Sequence, residues 1–134
     1  MFPLEFTFDG PPLSLQSKNK ARKRAYKQAV EAAARAVLPQ GYAAVADELE
    51  IKITYYYDGT CGDVDNMIKP IQDSLNGVIY VDDNQIANST SRKRNINSSY
   101  KIRNVSACIL QSFSKGNDFI HVKIDKHTPS MDLD

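Results

Sequence analysis

LEIKITYYYDGTCGDVDNMIKPIQDSLNGVIYVDDNQ, residues 49–85, is the stretch on which the fold turns. Its first nine residues alternate, with Leu49, Ile51, Ile53, Tyr55 and Tyr57 on one side and Glu50, Lys52, Thr54 and Tyr56 on the other. A period of two in β-branched and aromatic residues predicts a half-buried strand. Residues 70–76 predict a short helix closed by Gly77. Pro70 is expected near the first helical position, because deeper in the helix its ring would remove a hydrogen bond and clash. Residues 78–81 predict a short return strand, broken by Asp82-Asp83-Asn84.

Outward from this unit, Leu4, Phe6 and Phe8 alternate with Glu5 and Thr7, a second half-buried strand that Asp9-Gly10-Pro11-Pro12 ends. A helix is expected over 17–38, with Ser17 as N-cap and Pro39 and Gly41 as its stop. Ala21, Ala25, Ala29, Ala33 and Val37 recur every fourth residue, with Tyr26 and Val30 widening that stripe. Further strands are expected near 105–110 and 119–124, joined through 114–117. The fold class is α+β: a small single domain over 1–127, a mixed β-sheet with helices packed on it, and a frayed tail over 128–134.

The chain has 134 residues, 42% hydrophobic and 25% charged, enough for one modest core. No apolar run approaches the roughly 18–20 residues that span a bilayer, and no leader is expected at the start. Cys61 and Cys108 form no disulfide framework, so reduced thiols in a cytoplasmic compartment are expected. Net charge is only +1, yet Lys18, Lys20, Arg22, Lys23, Arg24 and Lys27 form one basic run. A second holds Arg92, Lys93, Arg94, Lys101 and Arg103. This layout suits a polyanion around an acidic centre, or two solvated charged faces; composition does not choose.

The acidic centre holds five aspartates and a single lysine in residues 60–85. Like charges 4 Å apart repel by about 4 kcal/mol at an effective dielectric near 20, which a bound cation would offset. Apart from Cys61 the donors are all oxygen, which suits Mg²⁺ or Mn²⁺ better than zinc. Lys69 lies four residues after Asp65 and four before Asp73, so the three align if the turn is regular. An exposed Lys69–Asp73 pair, worth about 0.3–0.5 kcal/mol, is the plain alternative to an ammonium that stabilises phosphoryl charge. An EF-hand loop fails: counted from Asp63, its fifth and sixth positions are Met67 and Ile68.

Asp63-Val64-Asp65-Asn66, Lys69, Asp73-Ser74-Leu75-Asn76-Gly77 and Asp82-Asp83-Asn84-Gln85 form a long ordered pattern. It resembles the RusA family of Holliday junction resolvases, sharply over 60–86 and more loosely over 4–38. The resemblance implies a homodimer that binds four-way DNA and makes paired, symmetric, Mg²⁺-dependent nicks in recombination and repair. It implies Asp63, Asp65 and Asp83 as metal ligands and, with Lys69, as the catalytic set. Asn66, Asp73, Asp82 and Gln85 are expected to support them. The basic residues Lys18 to Lys27 and Arg92 to Arg94 are expected to bind DNA, and a bacterial or phage source fits. A branch- or flap-cleaving nuclease and an inactive DNA-binding module remain the alternatives. Tyr56 is the one tyrosine of 55–57 left as a base-stacking candidate, though core packing is favoured for all three. His121 and His127 are expected to be structural or solvated.

Overall fold

The computed structural model describes residues 2–13, 18–58, 66–96, 108–109, 111 and 117–128. The elements run β1 (Leu4–Asp9), α1 (Lys20–Val37), β2 (Leu49–Tyr57), α2 (Ile68–Leu75), β3 (Ile86–Asn95) and β4 (Phe119–Lys126). The strands form one sheet in the order β1-β4-β2-β3. β4 lies antiparallel to both β1 and β2, whereas β3 runs parallel to β2. Parallel neighbours need a crossover, and residues 58–85, with α2 inside them, are that crossover. The acid-rich stretch is therefore the connection of a β-α-β unit.

Both helices contribute to one core on a single face of the sheet. Phe6, Ile51, Ile53, Tyr55, Ile120, Val122 and Ile124 meet Val30 and Ala34 of α1 and Ile71 and Leu75 of α2. The alternation read in β2 holds for its core side from Leu49 through Tyr55. The opposite face carries a smaller cluster in which Tyr56 stacks on Phe119, ring centroids 4.7 Å apart. Tyr56 is buried there, so its ring is packing surface and is not presented to a base.

Four local expectations are corrected. α1 begins at Lys20, and its N-cap is Asn19, whose side chain accepts from Arg22 N–H at 3.1 Å; Ser17 lies outside the described residues. The buried side of α1 is Val30 and Ala34 with Tyr26 and Ala33 beside them, while Ala21, Ala25, Ala29 and Val37 are exposed. Alanine every fourth residue marks a helix face but is too small to say which face is covered. Residues 78–81 form no strand. Val78, Ile79 and Tyr80 are a buried turn, opened by Gly77 at φ 78° and tied by single bridges to Val45 and Asn76. The strand comes later, as β3, whose side chains are mostly exposed. It is an edge strand held by backbone pairing, guarded by Arg92, Lys93 and Arg94. Of the strand expected at 105–110, Cys108 and Ile109 are helical and the rest lies outside the described residues.

Candidate active site

α2 is set by its first turn. Met67 at the N-cap offers no side-chain bond. Asn66 does so instead, its Oδ1 accepting from Ile68 N–H at 3.0 Å and from Lys69 N–H at 3.4 Å. Pro70 follows inside the same turn, where a missing N–H costs nothing. Lys69 and Asp73 are then one turn apart on the exposed side, Nζ to Oδ2 3.4 Å. The ring of Tyr80, fully buried under α2, donates its hydroxyl to the Gln72 carbonyl at 2.8 Å. Burial pushes that phenol far up, and the negative charges of Asp83, Asp73 and Asp82 push it further.

Asp82 and Asp83 sit on a one-turn 3₁₀ helix, Asp83–Gln85, capped by Asp82. Asn84 N–H donates to Asp82 Oδ1 at 3.0 Å, and Asp82 N–H donates to Gln85 Oε1 at 2.9 Å. Gln85 Nε2 reaches back to the carbonyls of Val45 and Asp47, 2.8 Å each. The sequence reading names Gln85 as a supporting residue but not these carbonyls, because a backbone partner leaves no mark in the residue pattern. A hydrogen bond with Asp82 raises Asp83 above the usual carboxylate range; slight burial, the charges of Asp82 and Asp73 and a hydrogen bond with Asp73 add to it. Asp82 is lowered, first by the Asn84 N–H and then by Asp83.

Lys69, Asp73, Asp82 and Asp83 thus gather over Tyr80. Asp63 and Asp65 lie outside the described residues. Among the described ones, Asp73, Asp82 and Asp83 are crowded carboxylates, a donor set for a hard cation that is all oxygen and short of positive charge. A different donor group lies on the far face of the sheet. His121 Nε2 meets Glu5 Oε1 at 2.8 Å, with Cys108 Sγ nearby. Its nitrogen and sulfur do not suit Mg²⁺, and the His121–Glu5 hydrogen bond accounts for the buried imidazole.

The basic residues divide. Lys18 precedes α1, and Lys20, Arg22, Lys23, Arg24 and Lys27 lie within its first eight residues; all six are exposed. No acid lies in the first turn of this helix, so its cations oppose the helix dipole. On β3 the alternation splits the triple. Arg92 turns to the far face and donates from Nε and Nη2 to Thr54 Oγ1 at 3.2 and 3.0 Å. Lys93 pairs in register with Tyr55 and Arg94 with Tyr56.

No helix among the described residues is long and apolar enough to cross a membrane. Comparison with curated proteins found no match. The family model for endodeoxyribonuclease RusA matches residues 14–103, which span the basic helix, the acidic crossover and β3. The chain therefore belongs to the RusA family of endodeoxyribonucleases, metal-dependent enzymes that act on branched DNA junctions.

Proposed function

We propose that this chain is a Mg²⁺-dependent resolvase that, as a homodimer, cuts four-way DNA by paired symmetric hydrolysis of phosphodiester bonds. The observation that carries this reading is the convergence of Lys69, Asp73 and Asp83, with Asp83 held up by its acidic neighbours. Asp83, with Asp63 and Asp65 from the sequence pattern, would hold the metal, and Mn²⁺ would substitute. When bound, the ion supplies Lewis-acid charge at the phosphate and lowers the pKa of water.

The protein's own residues do the rest. Lys69 offers a positive charge to the phosphoryl oxygens where negative charge develops. Asp73 orients that ammonium through the 3.4 Å contact. Gln85 fixes the backbone that carries Asp83. The cations at the start of α1 supply affinity. Their stand against the helix dipole costs about 0.3–1 kcal/mol each, which a bound phosphate reverses.

The test is a nicking assay on a synthetic four-way junction beside matched duplex and flap substrates, with Mg²⁺ and with chelator. Paired nicks in the junction alone support the reading. Preference for the flap makes the chain a branch nuclease, and binding without nicking makes it a DNA-binding module.

A further inference from the structure

Beside the acid centre, α1 and α2 leave a cavity of about 240 Å³ between them. Lys23 and Lys27 of α1 and Lys69 of α2 line it with Leu13, Tyr26 and Pro70. The three lysines are exposed and Tyr26 is half-buried, so charge stands at the mouth and the ring lies within. Lys23 and Lys27 are four residues apart on one helix face, an arrangement that repels. Neither has an ion-pair partner among the described residues.

A second observation concerns the wall of this cavity. The Tyr26 hydroxyl is buried and makes no hydrogen bond among the described residues. Such a group is uncommon and calls for a missing partner. Burial pushes this phenol up to about 12, a shift that the Leu13 backbone partly opposes. The ring is fixed edge-on against Phe8, centroids 5.7 Å apart, so it is a rigid wall.

Size decides what fits. The volume is several times the roughly 30 Å³ share of a water. A bare phosphate would leave most of it empty, whereas a nucleobase with its sugar fills it. We infer that this cavity receives a single unpaired nucleotide, its base between Tyr26, Leu13 and Pro70 and its phosphate on Lys23, Lys27 and Lys69. Asp73 also lines the cavity, so the nucleotide sits beside the acid centre. Its carboxylate can accept from a base amine. Unstacking is costly in intact duplex and cheap where bases are already unpaired, which gives a branch point the advantage.

The inference rests on the DNA-acting reading, and its test is independent of nicking. The four deoxynucleoside 5′-monophosphates, deoxyribose 5-phosphate and inorganic phosphate are titrated into the full chain and followed by NMR shifts. At least one mononucleotide should bind about ten-fold more tightly than deoxyribose 5-phosphate, with shifts centred on Tyr26. Tyr26→Phe keeps the packing on Phe8. It should leave the free protein at least as stable and weaken the mononucleotide several-fold. Equal affinity for mononucleotide and deoxyribose 5-phosphate, or an unchanged Tyr26→Phe, overturns the inference even if the chain nicks junctions normally. Loss of nicking with mononucleotide binding intact would sink the resolvase reading and leave the cavity standing.

Discussion

Asp82 and Gln85 lock each other across one turn: Asp82 N–H donates to Gln85 Oε1 at 2.9 Å, and Gln85 N–H donates back to the Asp82 carbonyl at 3.1 Å. The spare amide hydrogens of Gln85 go to Val45 and Asp47. Gln85→Ala removes the brace and leaves two carbonyls and one N–H without that partner. A stability loss of about 1–3 kcal/mol is expected, read by urea unfolding. Nicking should fall about ten-fold or more because Asp83 loses its fixed backbone. Wild-type nicking in Gln85→Ala would show that the turn holds itself.

Asp83→Asn should reduce junction nicking by at least a hundred-fold while junction binding holds or tightens, since a repelled phosphate approaches more easily. Asp63→Asn and Asp65→Asn should behave alike. Lys69→Met should lose nicking to a similar extent, and Asp73→Asn only about ten-fold, because Asp73 acts through Lys69. Single-turnover rates beside gel-shift affinities separate the cases. Full activity of Asp83→Asn in Mg²⁺ ends the metal-ligand assignment.

Binding should depend steeply on salt. If six to ten phosphates are neutralised, affinity drops by roughly 10³–10⁵ between 50 and 200 mM salt. The double change Arg22→Gln with Arg24→Gln should flatten the log–log slope by about two and weaken all DNAs alike. An unchanged slope removes α1 from the interface.

His121 gives a pH prediction. It is buried on β4, and burial lowers its pKa; Glu5 on β1 opposes the shift, while Lys123 and Arg92 reinforce it. Among the described residues, Cys108 also lies beside it. A lowered imidazole favours the folded state fully above its ordinary value of 6.5. That contribution is lost as the pH falls below 6.5 through the folded value, because the unfolded chain takes the proton more readily. Urea midpoints at pH 7.5, 6.5 and 5.5 should decline in this protein and stay nearly level in His121→Gln. Parallel declines in both would assign the effect to other groups.

Local chemistry made some of this legible. Leu49 to Tyr57 reads as a strand because both its period and its residue types demand one. Gly77 reads as a helix stop because a left-handed φ favours glycine. The acids stood out because crowded charge is costly without a cation. Two strand readings went astray for different reasons. VIYV at 78–81 has strand composition, but Val78, Ile79 and Tyr80 are buried as a turn while Val81 is exposed, and a buried turn and a strand are equally apolar. The β3 sequence, IANSTSRKRN, shows no alternation, because an edge strand with solvated faces takes its stability from backbone pairing with β2.

The sequence by itself determined the kind of chemistry, an oxygen-rich acidic centre with one lysine inside it and cations on either side. Residue type and spacing carry that much, since charge and helix period are local properties. Only the tertiary structure decided that the acidic stretch is a parallel crossover, that Asp73 stands against Asp83, and that Gln85 is pinned to carbonyls 38 and 40 residues away. It alone gave Tyr56 its packing partner, Phe119, and opened a cavity between two helices. Those relations come from long-range packing and backbone hydrogen bonds, whose partners no local pattern names.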